Sequence, residues 1–164
     1  MHRIMAHMLI GLLTLAGGAA ADGDALLGLW LTEDDQAKVE IIYCEEDEAY
    51  VGTIVWLDEP EYAEDEPYPG EPKRDLNNPD PDKRDEPIIG LQVLEGFTYD
   101  GRNRWSGGTI YDPENGRTYS CRITRDNDEL HVRGFIGVAL FGRTTVWTRY
   151  VPEESEENEQ PDES

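Results

Sequence analysis

Histidine and cysteine are scarce enough in this chain for their positions to be read one by one: three His and two Cys in 164 residues. His2 and His7 fall within the first 21 residues, which leaves His131 as the single imidazole beyond them. A zinc centre needs several Cys or His ligands, and a Ser-His-Asp or Cys-His arrangement needs a base within hydrogen-bond reach of the nucleophile. Each of these schemes would have to be built around one ring. His131 lies between Leu130 and Val132 in an alternating stretch, so it is expected to face solvent, opposite to both. Cys44 or Cys121 as a nucleophile would depend on the same ring, and no neighbour marks a lowered thiol pKa. The two thiols are either joined in a disulfide or buried and free, since pairing depends on a spacing that sequence does not give.

Carboxylates are abundant, with 36 Asp and Glu, so a pair for glycoside hydrolysis is not distinguishable from the background. The string Asp75-Leu76-Asn77-Asn78-Pro79-Asp80-Pro81-Asp82 invites comparison with a calcium loop. It fails the EF-hand pattern, because Pro79 takes the fifth, ligating place and Asp80 the sixth, where Gly is needed. Two readings remain: a looser Ca²⁺ site from Asp75, Asn77, Asp80 and Asp82, or an Asn-Pro turn that docks a loop onto the domain. The expectation is a non-enzymatic protein with no cofactor.

Apolar side chains from Leu27 to Tyr150 alternate, and turn signals interrupt them about every ten residues. Eight strands are predicted, at 27–32, 38–44, 49–57, 89–98, 104–111, 117–125, 128–136 and 142–150. Asp100-Gly101 and Asp112-Pro113-Glu114-Asn115-Gly116 supply turns between them. Glycines inside the strands suit a sheet that bends sharply. The predicted class is therefore all-β: one eight-stranded antiparallel up-and-down barrel over 22–151. Between strands three and four, residues 58–87 form a long, acidic, Pro-rich loop. Its Tyr62 and Tyr68 could fold it over a barrel mouth.

Residues 1–21 carry one charge, Arg3, then an apolar run from Met8 to Ala16 and the small residues Gly17 to Ala21. That order predicts a secretory signal peptide and a periplasmic or secreted product, in a Gram-negative bacterium. No segment is long enough to span a membrane as a helix. The net charge is −22, concentrated in residues 58–86, with twelve acids and four bases, and in the segment after Val151, with seven acids and no base. Such a field repels nucleic-acid phosphates and anionic lipid. The terminal stretch 152–164 reads as a disordered acidic tail.

Several blocks are similar to those of a known family: Gly28-Leu29-Trp30-Leu31-Thr32, the Cys44 strand, Gly52-Thr53-Ile54-Val55-Trp56-Leu57, Asp75 to Pro81, Trp105-Ser106-Gly107-Gly108, Ile110 to Gly116, Arg133 to Gly137 and Gly142 to Arg149. In this order they resemble the exported bacterial family catalogued as domain of unknown function 2147. That family name implies no activity. Gly28-x-Trp30 in the first strand with Arg149 in the last also looks like the lipocalin pattern, in which a Trp packs beneath an Arg at the closed end of a barrel. The resemblance implies structural closure through Gly28, Trp30 and Arg149.

An eight-stranded barrel holds either packed side chains or one small ligand. The inward set predicted here is Ile41, Val55, Tyr119, Ile123, Leu130, Val132 and Ile136, a lining for an apolar or amphipathic molecule or lipid. The leading expectation is a small-ligand binder. The alternative is a cell-envelope interaction module with a filled barrel, docking a basic partner through Trp56 or Phe141 and the acidic loop.

Overall fold

The computed structural model of the chain describes residues 23–138 and 140–152. The expected signal segment and nearly all of the acidic tail lie outside the described residues. Nine strand segments follow one another: β1 Gly28–Leu31, β2 Ala37–Cys44, β3 Ala49–Leu57, β4 Gln92–Gly101, β5 Arg104–Ser106, β6 Thr109–Asp112, β7 Arg117–Asp126, β8 Glu129–Phe135 and β9 Gly142–Arg149. Every pairing is antiparallel, and β1 pairs with β9 while β3 pairs with β4, so the sheet closes. β5 and β6 are two halves of one stave, each lying between β4 and β7. The result is an eight-stranded antiparallel barrel, and the elements joining its strands among the described residues are 3₁₀ turns and loops.

The stave breaks at Gly107-Gly108 because the backbone there meets Phe97. A Cβ on Gly108 would stand 2.5 Å from the Phe97 ring and 2.6 Å from the Glu95 carbonyl, while Gly107 has φ +80°. Only glycine permits both the close approach and the positive φ. β4 begins three residues later than predicted, since Ile88 to Leu91 form a turn closed by Leu91 N donating to Ile88 O (3.1 Å), with Gly90 at φ +100°.

The two ends of the barrel differ. At one end the 3₁₀ turn Asp24–Leu26 packs against the barrel, and Leu26, Trp30, Phe97, Trp105, Ile123 and Leu130 are fully buried there. Trp30 Nε1 donates to Leu26 O (2.8 Å). Arg149 donates to Leu27 O (3.1 Å) and Ala25 O (2.9 Å), and its guanidinium carbon sits 4.1 Å from the Trp30 ring centroid. A flat, weakly hydrated guanidinium can cap carbonyls and stack on indole together, which a lysine cannot. Gly28 (φ +112°) leaves the room this needs, since a Cβ there would lie 3.1 Å from Arg149 Nη1. Gly28, Trp30 and Arg149 thus form one latch across the β1–β9 seam.

Candidate ligand cavity

The opposite end is open. A cavity of about 1400 Å³ enters the barrel between the β1–β2, β3–β4, β6–β7 and β8–β9 connections. Val39, Ile54, Val93, Val132 and Trp147 line it as buried apolar side chains, joined by the half-buried Ile110. Val39 and Val132 alternate with polar neighbours, Lys38 and Glu40 and His131 and Arg133, as a pleated stave requires.

Of the predicted inward set, Tyr119, Val132 and Ile136 line this cavity. Ile41, Ile123 and Leu130 are instead buried in the closed-end core. Val55 is a correction: it is 38% exposed, and Ile54 takes the inward place. The apolar run Ile54-Val55-Trp56-Leu57 presents an apolar residue to both faces, so alternation alone does not say which set is inside. Ile136 is corrected in part, since β8 ends at Phe135 and Ile136 reaches only the rim, 66% exposed.

The rim is charged. Glu33, Asp34, Asp58, Glu59, Glu66, Asp112 and Glu114 stand against Lys73, Arg74 and Arg143 among the lining residues. Each of the three bases is already paired: Lys73 with Glu59 (3.4 Å), Arg74 with Glu71 (2.8 Å) and Asp85 (3.3 Å), and Arg143 with Glu33 (2.6 Å). Among the described residues Asp34, Asp58, Glu66, Asp112 and Glu114 have no ion-pair partner.

The segment from Asp58 to Leu91 is attached to this rim by one buried carboxylate. Asp75 is fully buried, and Tyr111 Oη donates to its carboxylate at 2.9 Å while Asn78 Nδ2 donates at 2.6 Å. Asn77 Nδ2 donates to the carbonyls of Pro113 (3.2 Å) and Glu114 (2.9 Å) in the β6–β7 turn. Asp80 caps the 3₁₀ turn Pro81–Lys83 by accepting from Asp82 N (3.1 Å). Of the four residues weighed as a calcium site, the Asp75, Asn77 and Asp80 side chains thus serve separate structural partners, and Asp82 contributes its backbone N–H to Asp80. Among the described residues no three His, Cys, Asp or Glu side chains converge as metal ligands. Tyr62 lines the cavity and its Oη accepts from Arg74 N (3.0 Å), whereas Tyr68 is half exposed beneath the Arg74 guanidinium (4.6 Å).

Burial, reinforced by the Asp75 carboxylate, pushes the Tyr111 hydroxyl up to about 12 from an ordinary value of 10.0. Tyr111→Phe removes a donor from a buried charge and is expected to cost about 1.5–3 kcal/mol in chemical denaturation at neutral pH. Because the folded-state pKa is raised, this contribution is complete below pH 10 and is lost as pH climbs through about 12. The gap between wild type and variant should accordingly narrow over that window, and a gap constant with pH would refute the assignment.

The remaining candidates stand apart from the cavity. His131 is on the outer face, with its side chain 42% exposed and Nε2 3.9 Å from Glu129. Cys44 and Cys121 are both free. Burial raises the Cys121 thiol to about 12, which keeps it protonated and unreactive. Sequence reasoning missed Asp75–Tyr111 as a pair, because the two residues lie 36 positions apart and nothing local marks Asp75 as buried.

Comparisons with known proteins agree with this architecture. The model of the family DUF2147, described as an uncharacterized protein conserved in bacteria, matches residues 28–149. Among solved structures the chain is similar to HP1028 from the human pathogen Helicobacter pylori, described as belonging to the lipocalin family. The two share 20% identity at a TM-score of 0.64, over 77% of this chain and 83% of that one. No curated protein matches. At that identity the likeness concerns the fold, a lipocalin-like barrel.

Proposed function

We propose, for a chain that belongs to the bacterial family DUF2147, that the barrel binds one small apolar or amphipathic molecule, non-covalently and without catalysis, outside the cytoplasm. The open-ended cavity of about 1400 Å³ with its apolar wall carries this reading. Concave sites of a few hundred to about 1000 Å³ with apolar linings and few polar groups are the usual form of small-ligand sites. The order of residues 1–21, basic, apolar and then small, supports export.

The rim narrows the chemistry. A free carboxylate or phosphate on the ligand would meet unpaired acids and no spare base, so a neutral or cationic head fits better. An interaction module with a filled barrel fits less well, since the cavity opens between the connections at one end of the barrel.

The neutral probe N-phenyl-1-naphthylamine tests the reading. Titration should give a saturable fluorescence rise at one equivalent per chain. A long-chain fatty acid anion should displace it less well than a neutral or cationic amphipath of equal chain length. Linear, unsaturable partitioning into folded protein would sink the proposal.

A further inference from the structure

The connection between β8 and β9 is out of character with the rest of the chain. From Leu130 to Pro152 there is no Asp or Glu, although the chain holds 36 of them, and the only charged side chains are Arg133, Arg143 and Arg149, apart from His131. At the turn, Ile136, Val138, Leu140 and Phe141 are 66%, 60%, 79% and 72% exposed. Single exposed apolar residues are ordinary, but four large ones on one turn mark an interaction surface.

The turn is held in the shape that exposes them. Phe141 N donates to Val138 O (3.1 Å), and Arg133 donates to Leu140 O (3.3 Å) and to Thr144 Oγ1 (3.0 Å). Both flanking positions are basic, Arg133 and Arg143, and the Arg143 side chain is 79% exposed. Its ion pair with Glu33 lies largely in solvent, where such pairs contribute little to stability.

We propose that this hairpin tip docks into the surface of a zwitterionic phospholipid bilayer. The apolar side chains would enter the headgroup–acyl boundary, while Arg133 and Arg143 sit at phosphate level, the arrangement of interfacial anchors. A second copy of the chain is a poorer occupant. The four side chains expose on the order of 500 Å², so two tips pressed together would bury about 1000 Å², under the roughly 1200–2000 Å² of stable interfaces. Anionic lipid is disfavoured as well, because the unpaired rim carboxylates Asp34, Asp112 and Glu114 and the net charge of −22 oppose it. Ile136 and Phe141 also line the cavity mouth, so docking by the tip would turn the barrel's opening toward the acyl chains. The docking stands on the turn alone and holds whether or not the cavity carries a ligand.

Flotation with vesicles of phosphatidylcholine and phosphatidylethanolamine tests it, using the full chain as produced and its L140D/F141D variant. The N-terminal residues are the same in both proteins, so the difference reads the hairpin. Wild type is expected in the vesicle fraction, with recovery at least tenfold lower for the variant and an unchanged thermal midpoint. Adding phosphatidylglycerol at low salt should reduce recovery. The proposal fails if wild type stays with the soluble fraction, if the variant floats equally, or if anionic lipid strengthens binding. A concentration-dependent dimer abolished by the same two substitutions would also overturn it, by assigning the tip to a second copy.

Discussion

Replacing Trp30 by Ala is expected to remove about 3–5 kcal/mol of stability, the range for deleting a large aromatic from a packed interior. Trp30 is fully buried, holds the Leu26 carbonyl through Nε1, and forms the surface on which Arg149 lies. A domain of this size has a total stability of about 5–15 kcal/mol, so the variant would be near its folding threshold. Arg149→Lys tests the same latch more gently. Lysine keeps the charge but cannot reach both the Ala25 and Leu27 carbonyls while stacking on the indole. It should cost about 1–3 kcal/mol, for one buried carbonyl left unpaired. Urea denaturation followed by tryptophan fluorescence measures both. If Trp30→Ala cost less than about 1 kcal/mol, the closed end would not be the packed base of the barrel.

Filling the cavity should have the largest effect on binding. Val132 is 2% exposed, lies midway along β8 and lines the cavity wall. Val132→Trp would place an indole in the space a ligand occupies. Val132 also packs in the buried core, so the usual overpacking cost of about 1–3 kcal/mol is expected in stability. Affinity for the neutral probe is expected to drop by at least tenfold while the fold persists. Ile123→Val is the control, because Ile123 is fully buried beside Val132 and is not among the cavity-lining residues. It should cost about 0.5–1.5 kcal/mol of stability and leave probe affinity unchanged. Equal loss of affinity in the two variants would mean that the probe reports stability rather than the cavity.

Much of the architecture was legible because a half-buried antiparallel strand writes its two faces into alternate residues. The eight staves fall close to where alternation places them, and the break at Gly107-Gly108 is visible in the sequence as two adjacent glycines, though not as a division of one strand. The closing latch was accessible for a different reason. Trp is rare, with four in the chain, and Gly28-x-Trp30 and Arg149 stand on the two strands that must meet, so a family pattern picks them out.

The cavity was less legible, for two physical causes. Where a strand is apolar on both faces, as at Ile54-Val55, alternation gives no sign of which side is inside. Which buried residues border the cavity is also invisible, so Ile41, Ile123 and Leu130, which do not line it, look in sequence like Tyr119 and Val132, which do. Asp75 shows a further gap: a carboxylate in a run of carboxylates reads as solvated, and only the fold brings Tyr111 to it.

Native mass spectrometry on the protein purified from a bacterial host reads whether the open end of the barrel carries a small molecule. A reproducible adduct of a few hundred daltons, lost on denaturation and absent from Val132→Trp, is the predicted result. A bare polypeptide mass for wild type, under conditions that also give no saturable probe uptake, would contradict the account.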